Sequence, residues 1–165
     1  MARLRRPSRP SRKVFLALAG VLVLAVVVVA AVLVVRRVTT TPQERYCDEL
    51  DARRAELTAT LSRSSDDGLI VALPILEDLR ERAPEDLRDE WRQVVDAVQG
   101  LRDALDDADV DPASYDRDDP PTGVTDAQKD RIDQAATVLG SAATRAALLG
   151  IDQHARDVCG TPLTQ

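Results

Sequence analysis

The chain has 165 residues with 22 basic and 28 acidic side chains, for a formal net charge of −6 at pH 7. All 28 acidic residues and 14 of the 22 basic ones follow Arg37, so residues 38–165 carry a formal charge of −14. This charge argues against nucleic acid as a partner and against close contact with anionic lipid.

The first predicted element is an apolar helix. Residues 14–35 form an unbroken run of 22 apolar residues between Arg12-Lys13 and Arg36-Arg37. A helix of this length spans roughly 33 Å, enough for a bilayer core of about 30 Å. We therefore expect an uncleaved transmembrane signal anchor that contacts membrane lipid. A cleaved signal peptide is the alternative, but its apolar region is usually shorter and is followed by an A-x-A site.

The charges that flank the run predict its orientation. The tail 1–13 holds six basic residues and no acid, whereas two or three basic residues follow the run. This bias favours a cytoplasmic N-terminus in the plasma membrane. We expect a juxtamembrane linker over residues 36–41 and an extracytoplasmic helical domain over residues 42–165.

The first helix of that domain is predicted from Pro42 to about Ser62. Thr41 and Glu44 form a capping box around Pro42, and apolar residues follow at helical spacing. A second helix is expected to end near Arg82, with Pro74 either kinking it or delaying its start.

The third helix carries the clearest apolar pattern. It begins at Pro84, and its apolar residues are spaced 4-3-4-3-4, typical of a packed seam. They are Leu87, Trp91, Val94, Val98, Leu101 and Leu105. We expect Trp91 to pack in the core; a binding-site aromatic is the alternative.

An acidic loop is expected over residues 106–124, where Asp and Pro interrupt the helical spacing. Thr125 and Gln128 then form a second capping box. The fourth helix that follows has an apolar stripe of Ile132, Ala135, Leu139, Ala142, Ala146 and Leu149. Gly140 and Gly150 weaken this helix. If it divides, we expect the break before Ile151.

These elements predict an all-α fold: one transmembrane helix followed by an up-down-up-down bundle of about four helices. Four passes return the chain to its starting end, which brings Cys47 and Cys159 together. Both cysteines lie in the expected extracytoplasmic part, where disulfides form. We therefore predict a Cys47–Cys159 bond. A catalytic pairing of Cys159 with His154 is disfavoured, because an offset of five separates them on a helix; His154 is expected on a polar face.

The acidic loop contains weak candidate metal ligands. Three aspartates at alternate positions followed by another at the twelfth resemble an EF-hand loop for Ca²⁺. They are Asp107, Asp109, Asp111 and Asp118. Pro112 stands where that loop needs glycine, and Asp118 replaces the bidentate glutamate. We therefore interpret these residues as a solvated acidic loop and predict no cofactor.

Paired carboxylates are the remaining candidates for chemistry. Glu85 with Asp89, and Asp103 with Asp107, have the spacing for acid–base work. In so acidic a chain, such pairs are more often solvated helix faces, and no enzyme activity is predicted.

The segments YCDEL, AP-EDLRDEW and ARDVCGTPL resemble small uncharacterised envelope proteins of high-GC Gram-positive bacteria. The resemblance covers residues 46–163 and implies a tethered helical extracytoplasmic domain with one cysteine near each end. It implies no activity. We therefore expect a non-enzymatic module that binds another envelope protein; the alternative is a ligand- or calcium-binding domain that uses the acidic loop.

Overall fold

The computed structural model describes residues 24–31, 40–63 and 67–164. Its contacts divide the chain into two compact units, Met1–Thr40 and Thr41–Gln165. In the first unit, residues 24–31 are helical (α1) and their side chains are exposed. The rest of the predicted anchor, 14–23 and 32–35, lies outside the described residues. Within the described part of the chain, no helix has both the length and the apolar character needed to cross a bilayer.

The second unit is all-helical over its described residues. Its helices are α2 (Pro42–Arg63), α3 (Gly68–Val71), α4 (Leu73–Arg82), α5 (Arg88–Asp106), α6 (Asp126–Leu139) and α7 (Ala142–Val158). Short 3-10 turns span Glu85–Leu87 and Pro112–Ser114. The prediction of a helical bundle is confirmed.

Both predicted capping boxes are present. The Thr41 N–H donates to Glu44 Oε2 at 2.7 Å, and the Glu44 N–H donates to Thr41 Oγ1 at 3.1 Å. Thr125 and Gln128 exchange the same pair of bonds at the start of α6. In each case two backbone donors of the first helical turn are satisfied, which fixes where the helix begins.

Pro74 delays a helix start. The predicted second helix is divided at Ala72, and Pro74 lies in the first turn of α4, where its missing N–H costs no helical hydrogen bond. Asp67 precedes α3 without a side-chain capping bond.

Ion pairs and hydrogen bonds show that successive passes are antiparallel. Arg53 Nη2 lies 2.8 Å from Asp78 Oδ2, and Arg82 Nε lies 3.1 Å from Glu49 Oε2, so α2 and α4 run in opposite directions. The α4–α5 pair is likewise antiparallel, because Arg80 contacts Asp96 and Glu77 accepts from Gln99.

α6 and α7 together form one broken pass along α5. At the first half of α5, Gln93 donates to Thr144 Oγ1 at 3.2 Å and Glu90 approaches Gly150. At the far end of α5, Leu105 packs with Ile132 of α6. The first half of α5 thus contacts α7 and its end contacts α6, so this pass runs antiparallel to α5.

The break in this pass lies at Gly140–Ser141, not before Ile151 as predicted. Ser141 caps α7 by accepting from the Thr144 N–H at 3.2 Å, and α7 continues through Gly150. The restart changes which α7 residues face the core: Thr144, Ala147, Ile151 and Ala155 are buried. The predicted stripe is therefore wrong beyond Leu139, and Leu149 is 69% exposed.

The main core lies around the predicted seam of α5. Leu87, Trp91, Val94, Val98 and Leu105 are buried and Leu101 is half-buried, which confirms that stripe and the packing of Trp91. The Cys47–Cys159 disulfide, with Cα atoms 5.2 Å apart, joins the start of α2 to the end of α7. The predicted bond is confirmed.

Candidate binding groove at the acidic loop

The acidic loop folds over a second, smaller core at the end of α5. Leu105, Val110 and Ile132 are buried there, and partly buried apolar side chains surround them: Ile70, Leu101, Ala104, Ala108, Tyr115 and Val124. Gln128 of α6 donates to the Asp107 carbonyl at 3.0 Å, which ties the start of the loop to the following helix. The predicted loop is therefore a packed structure with its own apolar residues.

Two of the candidate calcium ligands contact other groups of the protein. Asp111 caps the second 3-10 turn by accepting from the Ala113 N–H at 3.0 Å. Asp107 lies 3.8 Å from Arg131 of α6. Across the described residues, no three His, Cys, Asp or Glu side chains are grouped to hold a metal ion.

The other two candidates lie in tight turns. Asp109 has a positive φ of 55° at the end of α5, a conformation that aspartate tolerates better than most residues. The backbone N–H of Asp118 donates to Asp116 Oδ1 at 2.8 Å, an Asx turn. Local backbone geometry thus gives Asp109 and Asp116 a structural role in the loop.

Beside the second core lies a groove of about 210 Å³ between α5, α6 and the loop. We call it the loop groove. Its floor is aliphatic, formed by Ile70, Leu101, Leu105 and Ile132. Ala136 lines the α6 side and the loop contributes Pro112 and Tyr115.

A bidentate ion pair closes one side of the loop groove. Arg117 Nε lies 2.9 Å from Asp133 Oδ1, and Arg117 Nη2 donates to Asp133 Oδ2 at 3.1 Å. Partial burial, followed by the nearby Asp133 charge, raises the pKa of the Tyr115 phenol. Arg117 is thus engaged within the chain, and Tyr115 presents a neutral hydroxyl beside an apolar floor.

The field around the loop groove is negative. Residues 106–119 contain seven aspartates and one basic residue, Arg117. Every one of those aspartates is exposed. The site therefore combines a small apolar depression with a broad acidic surround.

A second groove, of about 400 Å³, lies between α4 and α5. Its lining is charged and comprises Arg80, Glu81, Arg88, Arg92 and Asp96. Arg80 contacts Asp96 at 3.3 Å, and Arg92 contacts the exposed Asp89 at 2.8 Å. Exposed ion pairs of this kind contribute little to stability. The formal charge of −14 on residues 38–165 also repels an anionic ligand. This groove is the larger, but the loop groove is the better candidate.

His154 lies in the interface of α7 with α2, so the expected polar-face position is wrong. Its side chain is 13% exposed, and its Nε2 lies 2.9 Å from Gln43 Nε2. The same Gln43 amide lies 3.4 Å from Cys47 Sγ and 3.9 Å from Cys159 Sγ. Gln43 of α2 therefore approaches both His154 and the disulfide of Cys159.

The paired carboxylates lie on the surface. Glu85, Asp89, Asp103 and Asp107 are all exposed, and Asp89 and Asp103 each contact a neighbouring arginine of α5. The structure does not bring them to the loop groove.

Sequence reasoning missed four residues of the loop groove: Tyr115, Arg117, Asp133 and Ala136. One signal was available. Tyr115 is the one aromatic residue in an otherwise acidic loop, between the apolar Val110 and Val124. Apolar residues in a solvated loop indicate that the loop packs against something.

The fold and the loop groove define an all-helical, disulfide-closed bundle with a small amphipathic depression at one end. Comparison of the chain with protein-family models, with curated proteins and with solved structures gives no match.

Proposed function

We propose that this chain is a membrane-anchored, extracytoplasmic helical module that is not an enzyme and binds another protein of the cell envelope. The loop groove carries this proposal. It is an open apolar depression, formed by elements that are otherwise well packed, and pockets for partner side chains have this form.

The apolar run 14–35 and its flanking charges support the compartment and the anchor. The Cys47–Cys159 bond is consistent with them, because disulfides persist in oxidising spaces and are rare in the cytosol. The anchor contacts lipid, and the domain beyond it lies outside the plasma membrane.

The chain path supports the position of the site. We interpret the bundle as four passes, up-down-up-down: α2, then α3 with α4, then α5, then α6 with α7. The chain enters at Thr41 beside the disulfide, and the loop groove lies past the other end of α5. A helix of 19 residues is about 28 Å long. The loop groove therefore lies at the end of α5 away from the disulfide.

Site-specific photo-crosslinking in intact cells tests the proposal. A photo-reactive amino acid in place of Ala113, an exposed residue next to the groove-lining Pro112, is expected to capture one defined envelope protein. The control position is Ala52, which is exposed on α2 and flanked by Asp51.

A matched pair of variants shows whether capture depends on the groove. Ala136→Trp fills the loop groove, whereas Ala142→Trp adds the same bulk to an exposed position of α7 outside it. We expect Ala136→Trp to abolish the captured product and Ala142→Trp to leave it. Equal capture from Ala52, or capture that survives Ala136→Trp, would contradict the proposal.

A further inference from the structure

We infer that the loop groove takes one large apolar side chain from a cationic segment of the partner, that is, a lysine- or arginine-rich stretch with a single Leu, Phe or similar residue. This inference rests on the proposed function and specifies the chemistry of its partner.

The volume of the loop groove indicates that it binds a single side chain and not a drug-sized ligand. Sites for drug-sized ligands usually enclose about 300 to 1,000 Å³. The loop groove, at about 210 Å³, is smaller than that range. It is large enough for one anchoring residue, the usual centre of a protein–protein contact.

The lining fixes the character of that residue. The floor atoms come from Ile70, Leu101, Leu105 and Ile132, and Ala136 completes one wall. None of these side chains offers a hydrogen bond. A polar group seated on this floor would gain no hydrogen bond from it, so an apolar side chain is favoured there.

The charge around the groove fixes the flanking residues. The loop that lines the groove with Pro112, Tyr115 and Arg117 also carries seven aspartates, all of them exposed, so this side of the groove is strongly acidic. The nearest cation, Arg117, is neutralised by its bidentate pair with Asp133. An acidic or neutral segment gains nothing from this field, whereas a cationic one is attracted and oriented by it.

Binding of short labelled peptides to the full-length chain in zwitterionic nanodiscs tests the inference. The probe is Lys-Lys-Phe-Lys-Lys, measured by fluorescence anisotropy. Glu-Glu-Phe-Glu-Glu reverses its charge, and Lys-Lys-Ser-Lys-Lys removes its anchor. We expect the probe to bind at least about tenfold more tightly than either, and to weaken as NaCl rises from about 50 to about 300 mM.

Two variants with matched controls locate the binding. Ala136→Trp should abolish the preference for Phe over Ser, and Ala142→Trp should not. The triple change Asp116→Asn, Asp118→Asn and Asp119→Asn should weaken binding of the probe by about fivefold or more. The same charge change on α2, Asp48→Asn with Asp51→Asn and Glu56→Gln, should have a smaller effect.

Equal binding of the Phe and Ser peptides, or an equal effect of the two triple variants, would overturn the inference, since the probe would then be held only by overall charge. If Ala113 still captures a partner in cells, the proposed function stands while the inference about its chemistry fails. If the probe binds as expected and no partner is captured, the proposed function fails instead.

Discussion

The indole N–H of Trp91 donates a hydrogen bond to the hydroxyl of Tyr46 at 3.1 Å, and both side chains are fully buried. Their rings meet edge to face, with centroids 6.5 Å apart. This pair joins α2 to α5 near the disulfide. It satisfies two polar groups in a core that is otherwise aliphatic, so it fixes how those helices pack.

Tyr46→Phe should destabilise the fold by about 1 to 3 kcal/mol, because the Trp91 N–H loses its acceptor inside the core. Urea unfolding of the full chain in detergent measures this. Tyr115→Phe is the control: its phenol lies at the partly exposed edge of the loop groove, and we expect a change within about 0.5 kcal/mol. Equal effects of the two substitutions would contradict the role given to the buried pair.

The same tyrosine predicts a pH dependence. Burial raises the pKa of Tyr46 to about 12. Since the folded chain keeps the phenol proton more tightly than the unfolded chain does, this contribution is present below pH 10. It is lost as pH rises from about 10 to about 12. The free energy of unfolding of the parent should fall more steeply than that of Tyr46→Phe in this window; parallel curves would contradict the assignment.

Loss of the disulfide should destabilise the domain by roughly 2 to 5 kcal/mol. The bond closes a segment of 112 residues in sequence separation, so it removes much of the freedom of the unfolded chain. Cys47→Ser and reduction of the parent should lower the unfolding midpoint alike, and a reductant should not affect the double serine variant. If Cys47→Ser unfolds like the parent, the bond does not stabilise the domain.

Thr144 links α7 to both α5 and the end of α6. Its buried hydroxyl donates to the Val138 carbonyl at 2.8 Å and accepts from Gln93 at 3.2 Å. Thr144→Val removes these two bonds and a 3.1 Å contact with Ser141 Oγ while keeping the shape of the side chain, and we expect a loss of about 1 to 3 kcal/mol. Thr137→Val is the matched control, since that hydroxyl is exposed and donates only to the Asp133 carbonyl of its own helix. Similar losses for both would show that the link across helices stabilises the fold no more than a bond within one helix does.

Calcium should leave the melting temperature nearly unchanged at millimolar concentration. The carboxylates of Asp107 and Asp111 are turned to local partners, and Pro112 occupies the position where an EF-hand loop needs glycine. Thermal melts with and without Ca²⁺ provide the measurement. A rise of several degrees that Asp109→Ala abolishes would instead support the calcium-binding alternative.

Local signals in the sequence predicted much of this fold. The seam of α5 could be predicted because its buried residues keep one helical spacing without interruption. They are Leu87, Trp91, Val94, Val98 and Leu105. The capping boxes at Thr41 and Thr125 were readable because both partners of each lie within one turn.

What depends on contacts distant in sequence could not be predicted. After the restart at Ser141, the phase of α7 is the one in which Thr144 contacts Gln93 of α5 and Leu149 faces solvent. The loop groove arises because Tyr115 packs beside Ile132 and Ile70, residues from three separate elements. No spacing rule within one segment brings these side chains together.

The central claim, that residues 42–165 are extracytoplasmic, is tested most directly by cysteine labelling in intact cells. Ala113→Cys places one free thiol in the exposed loop, since Cys47 and Cys159 are bonded to each other. Ser8→Cys places one in the basic tail as the opposite control. We expect a membrane-impermeant maleimide to label the loop variant in intact cells and the tail variant only after lysis. Labelling of the loop variant only after lysis would contradict the account.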